Sequence, residues 1–168
     1  MSKQWLENVP AYFEKYVAKV SEEDIVEALS VSAKELEDWG AEVGEEKAHY
    51  AYDEGKWTTN EVILHIIDTE RIFQYRSLCI ARGEMNGMPG FEQNSYAKNS
   101  EANKRTTQSL MDEFRTVRAS SISLFDNLED SRVKFKGMAN GLVVQPVLYG
   151  FLMTGHLRHH LDVLKTRY

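Results

Sequence analysis

Along most of the chain apolar residues return every three or four positions, with little strict alternation, a period that predicts helices rather than strands. Trp5, Leu6, Val9, Tyr12, Phe13, Tyr16, Val17 and Val20 crowd the N-terminal stretch. Pro10 interrupts them, so a short helix is expected from about Pro10 onward, packed on the main body. Ser21-Glu22-Glu23-Asp24 opens the first long helix, with Ser21 as its N-cap and the acids at the positive end of its dipole. Ile25, Leu29, Leu36 and Trp39 form its apolar face, and Gly44 ends it.

After a connector from Glu45 to Trp57, Thr58-Thr59-Asn60-Glu61 has the form of a capping box. Trp57 and Val62 stand where a hydrophobic staple would close over it. The second long helix then runs to about Arg82 and stops near Gly83. Residues 84–100 hold Gly87, Pro89, Gly90 and Asn94 and show no helical period. Median connections are roughly 4–6 residues, so this stretch reads as a crossover that lets the second and third long helices run parallel. The third spans roughly Glu101–Leu128, with Leu110, Phe114, Val117, Ile122, Leu124 and Phe125. Asn140-Gly141, between short apolar runs in residues 129–144, signals a small hairpin of very short strands. The fourth long helix begins near Gln145-Pro146, where proline suits the first turn, and runs to about Thr166. The expectation is an all-α four-helix bundle forming a single domain over residues 1–168.

Composition changes this picture little. Of 168 residues, 42% are apolar and 27% charged, the make-up of an ordinary globular domain. Net charge is -6 and no basic stripe appears, which argues against a nucleic-acid partner. Acids concentrate between Glu22 and Glu54 and read as a solvated helix face. No apolar run reaches membrane-spanning length and no signal-like segment opens the chain, so no membrane partner is expected and the default location is the cytoplasm. The single cysteine, Cys79, excludes an intramolecular disulfide and a multi-cysteine zinc site, and its apolar setting predicts a buried, inert thiol.

The candidate chemistry lies in Gly155-His156-Leu157-Arg158-His159-His160-Leu161. At about 100° per residue, His156 and His160 share a face with Tyr149, Leu152, Met153 and Val163, which should point into the bundle. Two imidazoles at i and i+4 can grip one ion from a single helix. On the second long helix, His65 shares its stripe with Val62, Thr69, Ile72, Phe73, Cys79 and Ile80. It lies two turns from that helix's start, while His160 lies about two turns from the end of its own. Antiparallel packing would bring the three imidazoles to one mouth of the bundle. Neutral imidazoles suit Zn²⁺, Ni²⁺ or Fe²⁺, and three of them leave a coordination position for water or substrate. Buried histidines are more often plain core residues, but three on inward faces would need three separate partners in an apolar core. His49 sits in a polar connector and reads as surface. His159 is reachable at i+3 from His156, so spacing alone leaves it open as a ligand. Around the site, Asp68 and Asp162 are placed to orient an imidazole, though such acids are more often solvated. Arg76, deeper on the His65 stripe, is expected to pair with a carboxylate across the core, with binding of an anionic substrate group as the less favoured alternative, and Glu70 with Arg71 to form a packed or surface ion pair. Tyr149 reads as a core tyrosine that could also donate to a ligand.

Three stretches carry a resemblance: Gly55-Lys56-Trp57-Thr58-Thr59-Asn60-Glu61-Val62-Ile63-Leu64-His65-Ile66-Ile67-Asp68-Thr69-Glu70-Arg71, then Pro89-Gly90-Phe91, then Gly155-His156-Leu157-Arg158-His159-His160. In these the chain resembles the DinB-like (damage-inducible, YfiT-like) superfamily of metal-binding four-helix bundles, from about Pro10 to Arg167. The resemblance implies His65, His156 and His160 as metal ligands, with His159 left out. It also implies an up-down-down-up bundle and frequently a homodimer. Similar proteins include metal-dependent transferases that use low-molecular-weight thiols, a thiol-dependent isomerase and hydrolases. The expected function is therefore a metal-dependent enzyme that activates a thiol or a water for attack on a small-molecule substrate. The competing expectations are a non-catalytic, stress-related bundle braced by its ion, and a plain bundle with core histidines.

Overall fold

The computed structural model describes residues 1–168. Seven helices and one hairpin follow in the order α1 (Ala11–Val17), α2 (Ile25–Val43), α3 (Thr59–Ala81), α4 (Gln93–Asn99), α5 (Thr107–Asp126), α6 (Asp130–Val133), β1 (Gly137–Ala139), β2 (Leu142–Val144) and α7 (Pro146–Arg167). The four long helices form a bundle. Each of α2 and α3 packs against both α5 and α7, so α2 and α3 lie diagonally across it.

Side-chain pairs fix the running directions. Asn60, Glu70 and Gln74 of α3 meet Thr107, Arg118 and Ser120 of α5 in the same order, so these two helices run parallel. Against α7 the order reverses: His65 meets His156, and Phe73 meets Tyr149. That antiparallel contact is what delivers the start of α3 to the end of α7.

The helix boundaries follow local chemistry. Thr58 accepts from the Glu61 amide while the Glu61 carboxylate accepts from the Thr58 amide, a complete capping box. Gly44 (φ 67°) takes the left-handed conformation that ends α2. Two expected starts are corrected. The N-cap of α2 is Asp24, not Ser21: its Oδ1 accepts from the amides of Val26 and Glu27. The fifth helix starts at Thr107 rather than Glu101, because Thr106 caps it through the Ser109 amide while Glu101 itself is left-handed (φ 54°).

The crossover is also more ordered than its sequence suggests. It contains α4, capped by Glu92, whose carboxylate accepts from the amides of Asn94 and Ser95. Upstream, the Met88 amide donates to Met138 O, and the Asn140 amide donates to Met88 O, which pins the crossover to the hairpin. The hairpin pairs Gly137 with Val144 and Ala139 with Leu142 through an Asn140-Gly141 turn in which both residues have positive φ.

Buried apolar side chains form two clusters. One gathers α1, the hairpin and the first half of α7; the other gathers the start of α3, most of α5 and the end of α7. Ser32, Glu70, Arg118 and Thr154 occupy the junction, one residue from each long helix, all 0–2% exposed. Arg118 donates from Nε and Nη2 to the two oxygens of Glu70 at 2.8 and 2.7 Å. Its Nη1 donates to Leu29 O and Ser32 Oγ, each at 2.7 Å. Ser32 Oγ in turn lies 3.3 Å from Thr154 Oγ1. A polar layer thus crosses the core and ties α2, α3, α5 and α7 together. The expected Glu70–Arg71 pair does not form: Glu70 turns inward to Arg118, and Arg71 turns outward to Glu113. No helix is long and apolar enough to cross a membrane.

Candidate metal centre

His65 occupies the second turn of α3, and His156 and His160 occupy successive turns of α7. His65 and His156 are buried, and His160 is half-buried. Their ligand atoms all lie within 4.8 Å of one another. The Nε2 atom of His156 is 3.1 Å from that of His65 and 3.1 Å from that of His160.

Hydrogen bonding alone cannot satisfy this arrangement. A neutral imidazole nitrogen carries either one N–H or one in-plane lone pair. If His156 Nε2 donates, it can serve only one neighbour. If it accepts, its single lone pair can take only one donor well. One of the two close contacts is always mismatched. Three lone pairs aimed at a shared cation remove the mismatch. Bonds of about 2.0–2.1 Å at tetrahedral angles would put such nitrogens roughly 3.3 Å apart, close to the separations found. The residues present therefore fit a divalent ion.

Electrostatics favour the neutral, ligating form. Burial pushes His65 down to about 4, and His159 nearby adds to the effect. Burial also holds His156 and His160 well below the ordinary histidine range, and the neighbouring imidazoles lower both further. Trp57 packs on His65 with ring centroids 4.8 Å apart, and Phe73 packs on His156 at 6.2 Å. Gly155 permits this packing on the other side. A β-carbon there would stand 2.1 Å from the Tyr16 carbonyl oxygen, so only glycine lets α1 lie this close to α7.

The remaining candidates sort by contact. His49 is exposed, lies 3.3 Å from Asn103 Oδ1, and is outside the set of converging nitrogens. His159 is half-buried, edge-on to Tyr16 at 5.3 Å, and outside the set of converging nitrogens. Neither acid expected to orient an imidazole does so: Asp68 lies beside Arg71, and Asp162 pairs with Lys19. Cys79 is only partly buried and lies away from the histidines, on the far half of α3.

A cavity of about 250 Å³ opens on His65 and His156. Phe13, Tyr16, Phe73, Phe91 and Leu152 give it apolar walls, and Thr69, Arg76, Asn140 and Tyr149 supply polar atoms. The crossover and the hairpin turn form its rim. Thr69 Oγ1 is the one buried side-chain oxygen or nitrogen without a hydrogen-bond partner. The expected carboxylate partner of Arg76 is absent; its Nη2 donates to Pro89 O at 2.7 Å. Thr69 is visible in the sequence only as a member of the His65 stripe, Gly90 and Phe91 only through the family resemblance, and nothing local signals Asn140 as a lining residue.

Fold and site together define a helical bundle with a three-histidine cluster beside a cavity that two of the histidines line. The sequence model of the DinB superfamily matches residues 6–164, and the chain belongs to that superfamily. Among solved structures it is similar to YfiT from Bacillus subtilis, described as a probable metal-dependent hydrolase with an unusual four-helix bundle topology. The identity is 12%, with 95% of this chain and 89% of that chain covered and a TM-score of 0.75, a likeness of fold. No curated protein matches the sequence.

Proposed function

We propose that the protein is a metal-dependent enzyme in which His65, His156 and His160 hold a divalent ion and a small molecule reacts in the adjoining cavity. The observation that carries this reading is the meeting of three neutral imidazole nitrogens that no hydrogen-bond pattern satisfies. When bound, a divalent ion on three imidazoles supplies Lewis acidity that lowers the pKa of a water or a thiol at its open position.

The protein's own groups do the rest. Burial keeps the three imidazoles unprotonated, so their lone pairs are free at neutral pH. Phe73, Trp57 and Tyr16 fix the rings by contact. Phe91, Leu152 and Phe13 limit water around the reacting molecule, and Tyr149 and Thr69 offer hydroxyls to it. The cavity beside the cluster favours catalysis over an ion that merely braces the bundle. Whether the nucleophile is water or a low-molecular-weight thiol sets the reaction class, hydrolysis or S-transfer. The described role of YfiT supports the hydrolytic form.

Elemental analysis of untagged protein tests the reading. About one zinc, nickel or iron per chain is expected, falling to near zero in His65→Ala. Hydrolysis of an ester or amide panel, or consumption of a thiol with an electrophile, should vanish with it. Wild-type protein that takes up no divalent ion on reconstitution would overturn the proposal.

A further inference from the structure

Three arginines are largely buried in this bundle, and two of them are matched by acids. Arg118 holds Glu70, and Arg158 holds Glu22 and Glu35. Arg76 is the third: it is 6% exposed, donates from Nη2 to Pro89 O, lies beside the Tyr149 hydroxyl, and has no acid partner. Its guanidinium lies 6.0 Å from the Tyr149 ring centre, and it lines the cavity. A guanidinium cannot shed its charge, and it carries five N–H donors in a planar fork. A buried cation without an acid costs stability unless something else matches it.

The one acid on the same cavity wall does not serve. Both oxygens of Glu92 accept from the start of α4, and no ion pair joins it to Arg76. The second unmatched group, Thr69 Oγ1, sits on the same face of α3, between His65 and Arg76, and lines the same space. Two independent polar groups are therefore left open toward one cavity, one of them a fixed positive charge.

We infer that this cavity takes a small molecule bearing a carboxylate. Arg76 grips the carboxylate, Thr69 and Tyr149 contribute hydroxyls along the way, and the opposite end of the molecule meets the histidine cluster. The half-apolar walls suit a hydrocarbon or aromatic middle. Arg76 lies eleven residues beyond His65, roughly 16 Å along the helix axis. Long side chains on a helix lean back toward its start, which shortens that span. The two ends of the ligand are thus on the order of 10 Å apart, and the cavity of about 250 Å³ is smaller than that of a typical drug-sized ligand. Placing the reacting end at the histidines rests on the proposed metal function; the carboxylate end does not.

The test uses two probe series on the full-length protein. Zinc-loaded protein is titrated calorimetrically with ω-mercaptoalkanoates of increasing length and with ω-mercaptoalcohols of the same lengths. The acids should bind about ten-fold tighter or better once the chain is long enough to reach Arg76, and no tighter when it is short. Chelator-treated protein is then titrated with alkanoates lacking the thiol, following the Arg76 Nε–Hε resonance by NMR, which should shift. Arg76→Gln should erase the acid preference and Arg76→Lys should keep part of it, with circular dichroism reporting folding. Should Arg76→Gln fail to fold, the wild-type comparison of acid with alcohol still decides. Equal affinity at every length, with an unmoved Arg76 resonance, overturns the inference. Alkanoates that shift Arg76 while no thiol binds zinc-treated protein would sink the metal function and leave the carboxylate site standing.

Discussion

Arg118→Met should be among the most destabilising single changes available in this chain. The substitution keeps most of the side-chain volume and removes the charge. It leaves the Glu70 carboxylate, 2% exposed, without either of its two hydrogen bonds. It also takes a donor from Leu29 O and from Ser32 Oγ. Breaking one side of such a buried pair costs about 3–5 kcal/mol. For a domain of this size that is a fall in melting temperature on the order of 6–20 °C. The double variant Arg118→Met with Glu70→Leu removes the stranded charge, so only the contacts to Leu29 and Ser32 stay lost, at about 1 kcal/mol each. It should return to within roughly 2 kcal/mol of the wild type. Urea unfolding followed by far-ultraviolet circular dichroism, with chelator present to exclude metal linkage, measures both. A single variant that loses under about 1 kcal/mol, or a double variant no more stable than the single, would show that the layer is not an ion pair held against desolvation.

Three further outcomes follow from the site. Trp57 packs on His65, so Ni²⁺ or Co²⁺ should quench tryptophan emission at one equivalent, and Trp57→Phe should lose most of that response while still binding the ion. Gly155→Ala forces a β-carbon against the Tyr16 carbonyl; it should cost about 1–3 kcal/mol by overpacking and loosen α1 from the cavity wall, seen as faster amide exchange in Ala11–Val17. In metal-free protein, His65 is held near 4 against 6.5 in the unfolded chain, so the unfolded state takes up the proton first. Stability should be full above pH 6.5 and decline as pH falls toward 4, by on the order of 3 kcal/mol for this residue. A His65→Leu variant with an unchanged pH slope between 6.5 and 4 would contradict that account.

How far the chain could be read in advance varied with how local each cause is. The capping box at Thr58, the stop at Gly44 and the Asn140-Gly141 turn are set by residues within a few positions of one another, and each appears where the sequence places it. The sequence does not signal α4 because Gln93–Asn99 carries no periodic apolar run, and it places the start of α5 too early because the apolar period begins only at Leu110 and leaves the cap open among the polar residues before it. At the start of α2, Ser21 is a favourable capping residue by type, yet it is Asp24 whose side chain reaches the Val26 and Glu27 amides.

Helical phase alone put His65, His156 and His160 on inward faces, since 3.6 residues per turn is fixed by the backbone. Sequence could not choose between His159 and His160, because i+3 and i+4 are both neighbours on a helix surface. Tertiary packing decided that, and it decided where the long charged side chains go. Glu70 and Arg71 are adjacent in the chain and looked like partners, but adjacent helical positions diverge by about 100°. Glu70 therefore meets Arg118 inside, and Arg71 meets Glu113 outside. Periodicity and caps specify elements because their causes lie within a turn or two; the partners of buried charges lie tens of residues away, and only the folded bundle brings them together.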